Sequence, residues 1–369
     1  MTKNKRKILV TGGAGFIGHH LCTALVANGD DVVILDDLST GQVSNVPDGT
    51  HLVRGDIRRE KDVKQAMQGC DFVVHLAAIA SVMVYNDDWH NASSVNLGGT
   101  ICVFQAAADM GIPVVYASSA AVYGAANDLP LKEDTKLVPI SGYGADKLAC
   151  ELQARAMAEV HGLASVGLRF FNIYGPGQMR GSAYSGVITN FLDRWQAHEP
   201  LTIYGDGTQS RDFIYVGDIV TAIRCAMARA TAGGAQILNI CSGHSTTINE
   251  LVNMLERATD YSFAKSHLAA RDGEILALDV QDDARTIETQ DIRDHKAAGF
   301  ARTRRGNEHR VRLLDTGAGL IVDRVFVLWL TKFGKHDFTI QFVFELQNRR
   351  IAFLDELRGL CKGRITVFR

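Results

Sequence analysis

Through the first 170 residues, short runs of apolar and β-branched residues alternate with longer, Ala-rich stretches of helical period. The runs Ile8–Val10, Asp31–Leu35, His51–Val53, Phe72–His75, Val114–Tyr116 and Ser165–Leu168 contain almost no polar position. Strands that are covered on both faces read this way, so these six are expected to lie in a parallel sheet. Helices are expected near residues 17–28, 60–68, 91–110 and 144–161. Strand and helix in regular alternation predict an α/β fold with a doubly wound parallel sheet. From about residue 171 the alternation loosens, glycines gather at 175–177 and 205–207, and short strands mix with helices. Residues 171–300 are therefore expected to form mainly a smaller α/β substrate-binding lobe. No internal repeat or low-complexity segment interrupts the chain.

Composition narrows the class. The 369 residues are 46% hydrophobic and 22% charged, with a formal net charge of -2, which excludes a disordered chain and supplies no field to gather a polyanion. The partner expected is a small molecule; neither nucleic acid nor membrane is. The seven cysteines are odd in number, scattered and nowhere spaced C-x-x-C, so neither a zinc site nor a disulfide framework is predicted, and no metal is expected. Residues 1–7 are basic like the start of a signal peptide, but only Ile8, Leu9 and Val10 follow before Thr11, too few for its apolar segment. A cytoplasmic protein is expected. The last stretch departs from the rest: all six prolines precede residue 201, and residues 301–369 hold 14 Lys plus Arg against 7 Asp plus Glu, a surplus of +7. That shift is the mark of a basic appendage, a diverged C-terminal extension or a change of reading frame. The runs Val325–Leu330 and Phe338–Phe344 would suit strands.

The first predicted strand runs straight into Thr11-Gly12-Gly13-Ala14-Gly15-Phe16-Ile17-Gly18, and Gly13, Gly15 and Gly18 fit G-x-G-x-x-G. Glycines at these spacings let backbone approach a pyrophosphate, whose charge is then met by the positive end of the helix opening near Phe16. Asp36 closes the second strand 23 residues after Gly13, with Asp37 beside it. A carboxylate there accepts a ribose hydroxyl and repels a 2'-phosphate, which favours NAD over NADP. Residues 1–170 thus read as a Rossmann-type NAD-binding domain. Asp56 and Ile57 after the third strand could border the adenine, and Leu76, Ala77 and Ala78 after the fourth offer small side chains beside the pyrophosphate. Asp56 would equally serve as a turn carboxylate, and the alanines as ordinary packing.

Tyr143 and Lys147 are spaced i, i+4, so one helix face carries both. A phenol of pKa ~10 is a poor base at neutral pH, and a fixed cation beside it stabilises the phenolate. The pair alone could be a solvated helix face. Ser118-Ser119, however, follows the fifth strand at the carboxyl edge of the sheet, where such folds bind ligands, so a hydroxyl there could reach the same substrate oxygen.

The segments Thr11–Gly18, Ser118-Ser-Ala-Ala-Val-Tyr-Gly124, Tyr143-Gly-Ala-Asp-Lys147 and Leu168-Arg-Phe-Phe-Asn-Ile-Tyr-Gly-Pro-Gly177 together resemble the extended short-chain dehydrogenase/reductase family. Within it they are most similar to the nucleotide-sugar 4-epimerases of the UDP-glucose 4-epimerase type. The resemblance implies that Ser119, Tyr143 and Lys147 are catalytic, with Tyr143 and Lys147 also touching the cofactor. It further implies a UDP-sugar site: Asn172 at the diphosphate, Val187 within the stretch Tyr184–Ile188 that encloses the nucleotide, and Tyr204 in the segment beside the uracil. Arg211 would hold phosphates, and Arg271 with Glu274 would bind phosphate and ribose, as a guanidinium forks onto phosphate and a carboxylate accepts hydroxyls. Read alone, Arg211 could instead pair with Asp212 or Asp206. Resemblance covers roughly residues 7–278.

Relatives that dehydrate or decarboxylate the sugar carry acids just before Val-Tyr-Gly, where this chain has Ala120 and Ala121. Without an acid to expel hydroxide, a 4-keto sugar is re-reduced, so epimerisation is expected rather than dehydration. In the implied cycle Tyr143 takes the C4 hydroxyl proton as NAD takes the C4 hydride, the ketosugar turns over, and hydride returns to the other face. UDP-glucose and UDP-galactose are the expected pair, with UDP-N-acetylglucosamine or UDP-glucuronate as alternatives. A non-catalytic dinucleotide-binding regulatory module is the rival of another class. The resemblance also implies a homodimer formed through the helices near 91–110 and 144–161.

Overall fold

A computed structural model describes residues 5–124, 129–181, 184–259 and 261–269, with two paired two-residue strands at Arg285–Thr286 and Leu314–Asp315. The strands expected at 325–330 and 338–344 lie outside the described residues. Strands β1 (Lys7–Thr11), β2 (Asp31–Asp36), β3 (Thr50–Arg54), β4 (Phe72–His75), β5 (Val114–Ser119) and β6 (Ser165–Phe170) correspond to the six predicted runs, each extended at one or both ends apart from β4, which has the predicted bounds. The chain then leaves that layer through β7 (Asn172–Tyr174), β8 (Leu201–Tyr204) and β9 (Ser210–Tyr215) and returns with β10 (Ala235–Ile240). The large sheet has seven strands in the order β10-β6-β5-β4-β1-β2-β3, every neighbouring pair parallel. This is the doubly wound Rossmann order, lengthened by one strand at the β6 edge.

Alternate residues of one strand are buried on opposite faces, which is why the runs are apolar throughout. Ile8 and Val10 join a core with Leu21 and Leu25 of α1 (Phe16–Ala27), whereas Leu9 joins the other core with Val63 and Met67 of α2 (Glu60–Met67). The helix expected over 91–110 is interrupted. Short helices α3 (Val82–Asp87) and α4 (Trp89–Ser93) lead into one π-helical turn at Ser94–Gly99, and α5 (Thr100–Met110) continues from it. The turn widens where Gly99 presses on Ile57: a Cβ on Gly99 would come within 2.5 Å of Ile57 Cδ1. Helix α6 (Gly142–His161) is continuous, capped by the Ser141 hydroxyl, and ends on left-handed Gly162.

The second layer is smaller. Helix α7 (Val187–Gln196) and α9 (Ile248–Thr259) pack Ile188, Phe191, Leu251 and Leu255 against Leu201 and Ile203 of β8. β9 pairs parallel with β7 and antiparallel with β11 (Ser245–Thr247), and β8 pairs with β12 (Lys265–Leu268). Helix α8 (Val216–Ala230), although it follows β9, buries Ile219, Ile223 and Met227 in the core of the large sheet.

Candidate active site

The carboxyl ends of β1, β2, β4 and β5 share one edge of the large sheet, and β1 sits between β2 and β4 where the strand order reverses. Ligands of such folds lie there. At β1 the turn needs glycine for steric reasons. Gly12 has φ +70°, and a Cβ on it would meet the Ala77 backbone nitrogen at 2.7 Å; a Cβ on Gly18 would stand 2.2 Å from the Gly12 carbonyl oxygen. Gly13 is pressed on the Ile34 side chain, and Gly15 precedes α1 without any side-chain cap. The first N–H groups of α1, from Phe16 and Ile17 to Gly18, thus lie at a bare helix terminus, the arrangement that accepts a pyrophosphate.

Asp36 ends β2, buried, and accepts from the N–H of Ala14 at 3.0 Å and of Leu38 at 2.9 Å. Burial raises its pKa and these two donors oppose the rise. The carboxylate is thereby fixed to the glycine turn itself. Asp37 is exposed and closes a local turn onto Ser39. Asp56 is gripped by Arg58 at 2.7 Å, and that hydrogen bond holds its carboxyl below the usual range, while Ile57 is core. Leu76, Ala77 and Ala78 run past the turn, and the Ala77 N–H donates to Thr11 Oγ1 at 3.2 Å. From there a buried chain continues: Thr11 Oγ1 lies 2.7 Å from His75 Nδ1, His75 Nε2 lies 3.0 Å from Thr100 Oγ1, and Thr100 donates to the Asn96 carbonyl. With Ala77 donating at one end and Asn96 accepting at the other, His75 fits as a neutral imidazole protonated on Nε2. Burial, reinforced by Lys147, pushes its pKa down to about 3.

Ser119 closes β5, and its hydroxyl accepts from the Ala121 N–H at 3.2 Å. The first turn of α6 rests on this corner, since a Cβ on Gly144 would come within 2.5 Å of the Ala121 carbonyl oxygen. Lys147, 4% exposed, donates to the Ala117 carbonyl of β5 at 2.8 Å, and its ammonium lies 5.8 Å from the centre of the Tyr143 ring. Ser119, Tyr143 and Lys147 are thus brought to one corner of the sheet edge. Ser118, facing the opposite way, donates to Glu151 at 2.6 Å, and Glu151 also takes both arms of Arg169 at 2.9 and 2.8 Å. This buried carboxylate, one turn beyond Lys147, ties β5, β6 and α6 together. No sequence pattern marks it, because a pairing between α6 and β6 leaves no periodic signal.

In the smaller layer a cavity of about 560 Å³ is lined by Asn172, Val187, Tyr204 and Arg211 together with Asn190, Arg194 and Gln209. Four expected substrate residues from β7, α7, β8 and β9 therefore converge. Asp212 accepts from the N–H groups of Ser242 and Gly243, both at 2.7 Å, and Asp206 accepts from Thr208. Arg271 and Glu274 lie outside the described residues. Asn190 and Gln209 carry no motif that marks them in the sequence, and they reach the cavity only through the fold.

A parallel sheet in this order, with a bare glycine turn, an acidic end to β2 and a Ser, Tyr and Lys corner, defines an extended short-chain dehydrogenase/reductase fold. The chain belongs to the NAD dependent epimerase/dehydratase family, whose profile matches residues 8–241. The UDP-glucose 4-epimerase of Azospirillum brasilense is 36% identical over 273 residues, which span 69% of this chain and 77% of that one. The structure of a UDP-N-acetylglucosamine 4-epimerase from Methanobrevibacter ruminantium, in complex with UDP-N-acetylmuramic acid, superposes with a TM-score of 0.71 at 34% identity, covering 76% of this chain and 90% of that one. That of a Thermus thermophilus UDP-glucose 4-epimerase, in complex with NAD, gives 0.67 at 34%, covering 73% and 89%. Among the described residues no helix is long and apolar enough to cross a membrane.

Proposed function

We propose that this protein is an NAD-dependent nucleotide-sugar 4-epimerase that interconverts UDP-glucose and UDP-galactose. One observation carries the reading: Ser119, Tyr143 and Lys147 gather at the same carboxyl edge of the sheet as the glycine turn, and Asn172, Val187, Tyr204 and Arg211 converge on one cavity. The residues present suit NAD, since glycines let the Gly12–Gly18 turn close tightly against Ala77 and its own carbonyls before an uncapped helix start, and the Asp36 carboxylate is anchored beside it. When bound, NAD accepts the C4 hydride of the sugar and gives it back. Tyr143 takes the C4 hydroxyl proton and later returns it, Lys147 supplies positive charge beside the phenol, and Ser119 hydrogen-bonds the C4 oxygen. Arg211 forks onto the diphosphate and Asn172 contacts it, which leaves the sugar as the part free to turn over between the two hydride steps. Ala120 and Ala121 offer no acid to expel hydroxide, so the ketosugar is re-reduced.

Residues 1–170 would hold the cofactor, residues 171–300 mainly the nucleotide sugar, and the enzyme would work as a homodimer. Similarity to an epimerase of UDP-N-acetylglucosamine supports that sugar as a second reading. Purified protein incubated with UDP-galactose and no added NAD is expected to form UDP-glucose, followed by chromatography. Conversion of UDP-N-acetylglucosamine alone would move the assignment to the N-acetylated sugar. No turnover of UDP-galactose, UDP-N-acetylglucosamine or UDP-glucuronate by protein that retains NAD would favour a non-catalytic dinucleotide-binding module.

A further inference from the structure

A second tyrosine stands behind Tyr143, and the proposed reaction makes no use of it. Tyr85 of α3 is wholly buried and meets the Tyr143 ring edge-on, with centroids 6.5 Å apart and planes at 68°. Its ring also meets Trp89, at 5.7 Å and 80°. Its hydroxyl donates to the carboxylate of Asp146, the residue before Lys147. Burial, and the Asp146 bond after it, raise the Tyr85 pKa well above that of an ordinary phenol, so the hydroxyl remains a donor. Gly142 permits this docking: a Cβ there would fall 2.7 Å from both the Tyr85 and the Trp89 rings. The first turn of α6 is therefore held at Gly142 by close approach and at Asp146 by a hydrogen bond, with Tyr143 between them.

First turns of helices are where backbone bonds are missing and fraying begins, and a phenol ring swings on two torsions. The Tyr85 contacts act on both freedoms. We propose that Tyr85 is a positioning residue, whose ring sets the plane of Tyr143 and whose hydroxyl, through Asp146, holds the turn that carries it. The role rests on Tyr143 being the acid and base of the proposed reaction. Because the nucleotide is held elsewhere, by the cavity around Arg211, misplacing Tyr143 is expected to lower kcat and spare KM.

The test is steady-state kinetics of the full chain with saturating NAD, on whichever of UDP-galactose and UDP-N-acetylglucosamine the unaltered protein converts. Tyr85→Phe keeps the ring and removes the hydroxyl, and it should lower kcat about tenfold; Tyr85→Leu removes both, for a loss of about a hundredfold, with KM within about twofold in each. Asp146→Asn keeps an oxygen that can accept from Tyr85, and it should recover most of the kcat lost in Asp146→Ala. Tyr143→Phe runs alongside. Should Tyr143→Phe be inactive while Tyr85→Phe and Tyr85→Leu keep full kcat per folded molecule, or raise only KM, Tyr85 is packing and the inference falls with the reaction intact. Activity retained in Tyr143→Phe would overturn the reaction itself. If Tyr85→Leu does not fold, the kcat of Tyr85→Phe decides.

Discussion

In β6 every residue is buried; in β7, two residues further along the chain, every residue is partly exposed, and in β12 all four are exposed. The inner strands of the large sheet are buried on both faces, and beside them a run of polar groups is paired in series, from Ala77 through Thr11 and His75 to Thr100. The smaller layer is a set of two- and three-stranded pieces around an open cavity, held by contacts such as Asp212 on Ser242 and Gly243. A cradle that must let backbone touch a cofactor tolerates no added atom. A cavity that must exchange a polar substrate is built from separate side chains, each replaceable at a graded loss.

Substitutions on either side should expose that difference. Gly18→Ala puts a Cβ 2.2 Å from the Gly12 carbonyl, so the purified protein is expected to carry no NAD, measured as nucleotide released on denaturation, and to lose stability on the order of 1–3 kcal/mol. Arg211→Ala should leave NAD content unchanged and weaken UDP binding about 10- to 100-fold by titration calorimetry, the loss of one charged contact. Equal UDP affinity in that variant would remove Arg211 from the site. Asp36→Asn is expected to shrink the preference for NAD over NADP about tenfold in a ratio of dissociation constants, because the charge that repels a 2'-phosphate is gone.

Acid should act on the two layers with opposite sign. His75 has a pKa of about 3 when folded and 6.5 as its ordinary value, so its neutral burial contributes stability in full above about pH 6.5, and this is lost as pH falls towards 3. Asp212 is raised by burial from 3.8 to about 6, so its contribution is complete below pH 3.8 and is lost as pH rises through 6. Urea unfolding between pH 4 and 7 should show a flatter acid side in His75→Gln and the reverse change in Asp212→Asn. The smallest effect on chemistry is expected at α6, where Leu152 and Val160 are 60% and 74% exposed. Leu152→Glu with Val160→Glu should convert the proposed dimer to monomer in sedimentation while leaving kcat within about twofold.

Much of this was legible in the chain because the signals are local. Apolar runs of strand length, a glycine turn between strand and helix, and Tyr143 four residues before Lys147 each follow from covalent neighbours and a fixed helical or strand period. Asp56 shows the limit: its position after β3 marks a carboxylate at the sheet edge, and its ion pair with Arg58 is a choice between neighbours that spacing does not encode. The broken helix at 94–99 escaped for a similar reason, since it answers to Ile57, some forty residues away in sequence.

By itself the sequence determined the sheet, the glycine cradle, the acidic end of β2 and the shared helix face of Tyr143 and Lys147, because periodicity and turn sterics act over a few residues. Only the tertiary structure decided that four cavity residues from four elements converge, that Glu151 joins β5 to β6, and that Tyr85 stands against Tyr143. Those pairings are set by which surfaces exclude water together, and burial of that kind joins residues that no local pattern connects.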